Sequence, residues 1–464
     1  MTVGTSRVEI PPPVSAMAGL AWPAIPERSG NIIFVLLFQL EQSQWWTPEK
    51  LHAQQYRQAA ELLRHARDSV PYYRERLEDF AWQGGAPLDA ETWRQLPLLR
   101  REDIQEGQGR ALLSERLPKS HGATQKVSTS GSSGKPVTVM SSAVAAIFWN
   151  VITLRDFLWR RVDLSAKVAA IRFDEKRQSR YPDGMLLDYW LKSIQPFLAT
   201  GACAMLDIST PVDKQVEWLA RQEANYLVTY PSNLEALLLY CRAQQVGLPT
   251  LSQVQTLSEV LHPRVRNLCQ EVWGFGIDDM YTCQEAGYIA LQCPDHAHYH
   301  VQSENLIVEI LDGDGNPCAP GESGRVVLSD LHNFVMPLIR YDIGDFAEVG
   351  EPCPCGRGLP ILKNIMGRAR GMLTLADGSR IRPDFGGPHF REVADVRQYQ
   401  IIQKSREKLE VKLVAPGGLN ESEAHNLRQM ILDQLGHPFE LEFSFHEDIP
   451  RSAGGKFEDF RSEL

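Results

Sequence analysis

The stretch NYLVTYPSNLEALLLYCRAQQ, residues 225–245, decides the fold. NYLVTYP is dense in aromatic and β-branched residues and reads as a strand. The run from Ser232 to Gln245 reads as a helix. The same alternation continues outward on both sides. ACAMLDI (202–208) reads as a strand, and Thr210-Pro211 opens a helix through Trp218. VQTLS (254–258) is a short strand, Pro263 to Trp273 a helix, and Asp279-Met280-Tyr281 the end of another strand. Strands separated by helices of this length predict an α/β sheet with crossover connections over about residues 140 to 290.

Past that region the pattern changes twice. LIVEIL and RVVLSDL flank the loop DGDGNPCAPGESG and predict a β-rich part over about 305 to 350. Pro317 stands where a calcium loop needs glycine, so DGDGN is not read as a calcium site. After about residue 367, strands QYQIIQ (398–403), KLEVKLVA (408–415) and ELEFSF (440–445) surround a helix near Glu421 to Leu435. This predicts a small separate α+β domain. At the other end, residues 1–30 are rich in Pro, Gly and Ala and read as a flexible arm. Thr47 and Pro48 start a helix with Leu51, Tyr56, Ala59, Leu62, Leu63 and Ala66 on one face, closed by Pro71. The expected division is therefore 1–30, 31–367 and 368–464.

Composition narrows the function classes. The chain of 464 residues is 43% hydrophobic and 23% charged, ordinary for a globular protein with several cores. A net charge of −10 argues against a general nucleic-acid binder. No apolar run reaches the roughly 18 residues of a membrane helix. The longest, IIFVLLF (32–38), lacks the flanks of a signal peptide and is expected to pack in the core, with a docking surface as the alternative. Eight cysteines without a disulfide pattern suggest a reducing, cytoplasmic setting.

STSGSSGKPV (128–137) has the chemistry of an anion loop. Gly131 and Gly134 free the backbone so that amides can converge, Thr129, Ser130, Ser132 and Ser133 add hydroxyl donors, and Lys135 adds charge. It is not a Walker A loop: Thr129 replaces the first glycine and Pro136 follows the lysine. Pro136 turns the chain away from helix, toward a strand at Val137-Thr138-Val139. A Ser/Gly surface linker is the alternative reading.

Four further motifs follow in order: YTCQEAG with Glu285, IRYDIGD with Asp345, GRARGML with Arg368, and IPRSAGGKF with Lys456. With the opening loop, this order and spacing resembles the adenylate-forming superfamily. The closer likeness is to the phenylacetate–CoA ligase-like branch, which includes adenylate-forming proteins of capsule-polysaccharide gene sets. The resemblance runs from about residue 35 to the end. It implies a large multi-part α/β N-terminal domain and a small mobile α+β C-terminal domain. It implies ATP-dependent activation of a carboxylic acid to an acyl-adenylate, release of pyrophosphate, and transfer of the acyl group to coenzyme A. An amine acceptor, or a non-catalytic adenylate-binding protein of a biosynthetic assembly, are the alternatives. A homodimer is left open.

By position, the resemblance gives Ser130 to Lys135 to the β- and γ-phosphates and Glu285 to Mg²⁺. Gln284 stands where the family usually has a hydroxyl residue that can donate to a phosphate. Asp345 is implied for the ribose hydroxyls, Arg368 for the ribose or phosphate, and Lys456 for the adenylation transition state. Ser258 and Glu259 are implied at the adenine, with Tyr281 stacked on it. Pro231 and Ser232 resemble a segment near the acyl pocket. Thr282 and, at the hinge, Arg370 and Gly371 also depart from the family pattern.

Cys293, His300, Cys353 and Cys355 form a possible tetrahedral zinc set, with His296 and His298 between the first two. The choice of His300 over His298 follows from the resemblance. Buried free thiols are the alternative.

Overall fold

The computed structural model describes residues 13–464 except 19, 21–22, 83, 85, 106–107, 129–135, 379, 382, 384, 386 and 452–456. A twelve-stranded sheet organises the large part. Its spatial order is Leu306–Leu311, Ser323–Asp330, Tyr341–Val349, Ile361–Arg368, Tyr299–Val301, Gly287–Gln292, Ile277–Cys283, Gln253–Thr256, Tyr226–Thr229, Val168–Arg172, Cys203–Asp207 and Met185–Leu187.

The two halves of this sheet follow different rules. From Cys203–Asp207 to Ile277–Cys283 neighbouring strands are parallel. Parallel neighbours need crossovers, and the helices Val212–Gln222, Pro231–Gln244 and Pro263–Trp273 supply them. Trp218, Leu234, Leu237, Leu238 and Leu268 from these helices bury against Ile171, Leu206, Leu227 and Val254 of the strands. Pro231 and Pro263 each occupy a first helical turn, where a missing amide hydrogen leaves no bond unmade. From Gly287–Gln292 onward the pairing is antiparallel. Ile277–Cys283 is the joint, parallel to Gln253–Thr256 and antiparallel to Gly287–Gln292.

The helix Pro48–Ser69, capped by the Thr47 side chain, lays Leu62, Leu63 and Ala66 into the core of the antiparallel half. A helix opens at Arg28, at the end of the 1–30 stretch. IIFVLLF lies in it, and only part of that run is core: Ile33 is buried, while Val35 and Phe38 are 60% and 67% exposed. A run of seven apolar residues wraps the whole helix circumference, so one side must face outward.

Arg368 is the last residue of a large-sheet strand, so the chain leaves that sheet at the short turn Ala369–Gly371. The small part then builds its own sheet, ordered Glu440–Phe445, Lys408–Val414, Gln398–Gln403, Phe460–Ser462. Leu427 and Ile431 of helix Glu421–Leu435 pack on Ile401, Leu409 and Val411. That helix begins with a reciprocal cap between Asn420 and Glu423 and ends on Gly436 at φ +63°. Among the described residues no helix is long and apolar enough to cross a membrane.

Candidate active site

Three adjacent parallel strands release their chains on one edge of the sheet. Tyr226–Thr229 leads to Pro231 and Ser232, Gln253–Thr256 to Ser258 and Glu259, and Ile277–Cys283 to Gln284 and Glu285. The carboxyl edge of an open α/β sheet is where ligands settle, because loops diverge there and leave a crevice. A cavity of about 1100 Å³ occupies this crevice, lined among others by Ser232, Glu259, Tyr281, Glu285, Asp345 and Arg368. Ser258 and Gln284 line it too. Ser258 holds φ +69°, a left-handed conformation unusual for a residue with a side chain.

Glu285 sits in the turn between Ile277–Cys283 and Gly287–Gln292, and its carboxylate is buried. Gly287 closes that turn at φ +83°, and a Cβ there would lie 3.1 Å from the Trp149 ring. Facing Glu285 Oε1 are the Arg101 guanidinium at 3.6 Å and the Tyr341 hydroxyl at 3.5 Å. Sequence reading missed Arg101. It is one of two adjacent arginines in RREDI, and nothing local marks which of them turns inward.

Asp345 and Arg368 are direct partners in the ladder between Tyr341–Val349 and Ile361–Arg368. Arg368 Nε lies 3.0 Å from Asp345 Oδ1, and Arg368 Nη1 donates to the Ile343 carbonyl at 3.0 Å. The Tyr281 hydroxyl donates to Asp345 Oδ2 at 2.8 Å. Burial, reinforced by the Asp345 charge, pushes the Tyr281 hydroxyl well above its ordinary range, so it stays a donor. Both Asp345 oxygens are thus engaged and held in place by neighbouring strands.

The small part closes the cavity from above. Glu259 Oε1 accepts from the Phe457 amide and Oε2 from the Ser232 amide, each at 3.0 Å. Arg451 donates to Ser232 Oγ at 3.2 Å, and Arg370 pairs with Glu458. Lys456 lies outside the described residues, but the residues on either side of its segment, Arg451 and Phe457, both line the cavity. Thr129, Ser130, Gly131, Ser132, Ser133, Gly134 and Lys135 also lie outside the described residues. Strands Thr124–Ser128 and Thr138–Ser142 flank that segment and pair antiparallel, with Ser128 opposite Thr138.

The cysteines come together elsewhere. The donor atoms of Cys293, His300, Cys353 and Cys355 lie within 4.8 Å of one another. Zn–S and Zn–N bonds of about 2.3 and 2.0 Å in a tetrahedron put ligand atoms about 3.8 Å (S to S) and 3.5 Å (S to N) apart. The Cys293 to Cys353 sulfur distance is 3.8 Å, and Cys355 Sγ to His300 Nε2 is 3.5 Å. His298 Nε2 lies 2.9 Å from Cys353 Sγ, too close for the two to be ligands of one tetrahedral ion. Burial, with the Arg357 charge adding to it, pushes His300 down to about 3, so the imidazole is neutral. The donor set fits a zinc ion.

Comparison with known proteins agrees with this architecture. Residues 373–462 match the family described as the CapK C-terminal domain. A phenylacetate–coenzyme A ligase of Thermus thermophilus is 23% identical over 448 residues, which cover 88% of this chain and 95% of that protein. The structure of 2-hydroxyisobutyryl-CoA ligase in the postadenylation state, with 2-HIB-AMP, aligns at TM-score 0.66 and 16% identity over 88% of this chain and 89% of that one. The anthranilate CoA ligase AuaEII with anthranoyl-AMP aligns at TM-score 0.52 and 16% identity over 72% and 65%. A large α/β part whose crevice faces a small α+β part is thus the fold this chain shares with solved acyl-CoA ligases, and its sequence is similar to a phenylacetate–coenzyme A ligase over most of its length.

Proposed function

We propose that this protein is an AMP-forming acid ligase that joins a carboxylic acid to ATP and passes the acyl group to coenzyme A. One observation carries the reading. Glu285, the Asp345–Arg368 pair and the chain on both sides of the Lys456 segment converge on one cavity at the carboxyl edge of the sheet.

Attack of a carboxylate on the α-phosphate brings two anions together, so the site must supply positive charge and fixed donors. Arg368, Lys456 and the loop from Thr129 to Lys135 are the groups for this. Glu285 suits Mg²⁺, which is commonly bound by one or two carboxylates plus substrate phosphates. When bound, the ion would neutralise phosphate charge. Asp345 offers acceptors for ribose hydroxyls, with the Tyr281 hydroxyl and Arg368 fixing its orientation. Ser258 and Glu259 border the adenine side, and Ser232 the acid side. Arg101 would move from Glu285 toward the phosphates once the carboxylate has another partner. The segment Ala369–Gly371 is where the small part would pivot between half-reactions. The Cys293, His300, Cys353 and Cys355 set would hold a structural zinc away from the chemistry.

An adenylation screen tests the reading. Protein, ATP and Mg²⁺ meet aryl, arylacetic, fatty and amino acids, with hydroxylamine as trap and pyrophosphate as readout. A signal with one acid class that vanishes in Lys456→Ala supports a ligase, and CoA and amines then compete as acceptors. A signal untouched by Lys456→Ala overturns the mechanism.

A further inference from the structure

Of the thirteen large apolar side chains left exposed among the described residues, seven fall between Val14 and Trp45. The other six are spread from Trp149 to Leu464, so one stretch near the N-terminus stands out. Its centre is the helix Arg28–Ser43. The inner side of that helix is made by Gly30, Ile33 and Leu40, all buried. Gly30 packs so closely that an added Cβ would lie 2.6 Å from Phe197. The outer side carries Asn31, Val35, Phe38 and Gln42, all exposed, and Trp45 follows just past the helix end. These positions are spaced by 4, 3, 4 and 3 residues, the seam along which two helices pack side by side. No charged residue occupies the seam. Glu27 and Arg28 precede it, Glu41 faces Gln44 and Arg155, and Arg357 stacks on the Trp45 ring at 4.7 Å.

We propose that this seam pairs with the same helix of a second copy of the chain. The spacing calls for a helix as the occupant. Among the described residues no other helix leaves such a row of apolar side chains exposed, so the matching seam comes from another copy. A two-fold axis sets the patch against itself, and a neutral seam meets its own copy without like-charge repulsion. The seven side chains offer roughly 700 Å² per copy, close to the 800 Å² or so that each partner gives to a stable interface. A helix that lies on an anionic membrane carries lysines and arginines along its polar flanks, whereas this one has Arg28 alone. Phe38 stands midway along the seam, so the two-fold places it opposite its own copy, with Val35 beside it as a second anchor. None of the seam residues lines the cavity, so the pairing goes beyond the acid-ligase reading and stands apart from it.

The test uses the full-length protein in sedimentation velocity from about 1 to 100 μM, because an association of this kind depends on concentration. Wild type is expected at twice the mass of the chain. The double variant Val35→Glu, Phe38→Glu changes two exposed side chains and is expected at the mass of one chain, its dissociation constant weakened at least about 30-fold, with an unaltered far-ultraviolet spectrum. Phe38→Cys, oxidised with copper phenanthroline, is expected to give a covalent dimer that dithiothreitol reverses. Glu91→Cys, exposed on helix Ala90–Arg94, is expected to give none. A wild type that stays at the mass of one chain overturns the pairing, and so does a double variant that keeps the dimer. Flotation with phosphatidylcholine vesicles supplies the remaining outcome. A wild type that binds vesicles as a monomer, and loses them in the double variant, assigns the seam to lipid and overturns the second copy.

Discussion

The same strands end in two different kinds of site. At one end of the antiparallel half, Glu285 precedes Gly287–Gln292, Arg368 ends Ile361–Arg368, and Asp345 pairs beside it. At the other end, Cys293 follows Gly287–Gln292, and Cys353 and Cys355 lie between Tyr341–Val349 and Ile361–Arg368. His300 sits between them, paired with Leu291 and Ile361. The first end is charged, faces a cavity and meets the small part. The second is sulfur-lined, with Cys293, His300 and Cys353 buried. A sheet edge left open for a ligand forgoes packing there, and a metal at the far end of the same strands would restore rigidity without occupying the cavity.

That contrast can be broken by mutation. The largest effect is expected at the open end: Lys456→Ala should lower the adenylation rate by about 10²- to 10³-fold with little change in melting temperature, read by hydroxamate formation and calorimetry. The sulfur-lined end should behave in the opposite way. Cys353→Ser should lose near-stoichiometric zinc in metal analysis and about 2–5 kcal/mol of stability, while the folded fraction keeps its KM for ATP. A Cys353→Ser protein that keeps its melting temperature, or a wild type purified without metal, would remove the distinction between the two ends.

Asp345→Asn sharpens the open end. It leaves Arg368 without its carboxylate and should raise KM for ATP about 10-fold, or about 1.4 kcal/mol, with kcat less affected. Titration with ATP and kinetics would check both. Arg101→Gln should have a smaller effect, a few-fold on kcat/KM for ATP·Mg²⁺, because its partner Glu285 is freed rather than removed.

A pH experiment separates both ends from the core. His332 stacks on Phe148 at 3.7 Å between centroids, and burial, with His121 adding to it, pushes it down to about 3. Its folded value lies below its unfolded value, so the unfolded chain takes the proton first. This contribution is complete above about pH 6.5 and lost as pH falls toward 3, at up to about 1.4 kcal/mol per pH unit. His332→Gln should flatten that acid limb in urea melts between pH 6.5 and 4.5. An unaltered slope would place the acid sensitivity elsewhere.

Much of the fold was legible because its signals are local. The alternation of strand and helix from 202 to 281 follows from apolar period and proline position, and Pro263–Trp273, Glu421–Leu435 and Glu440–Phe445 have the bounds that the pattern predicts. The run IIFVLLF was harder. Seven apolar residues carry no phase, so the sequence could not say which side of that helix would be covered. The members of the cavity were named from motif order, and the structure brings Glu285, Asp345, Arg368, Tyr281, Ser258 and Glu259 to one wall. Arg101 stayed hidden because its role depends on a partner far along the chain.

By itself, then, the sequence determined the α/β class, the small α+β end, the motif order and the three cysteines of the sulfur cluster. These depend on periodicity, turn chemistry and residue type, all readable within a few positions. Only the tertiary structure decided that Glu259 bridges Ser232 and Phe457, that Arg101 faces Glu285, and that the spacing to Cys355 suits His300 while His298 lies too close to Cys353 to share an ion with it. Each of those is a distance between groups remote in the chain, fixed by strand register and by how the small part sits on the large one.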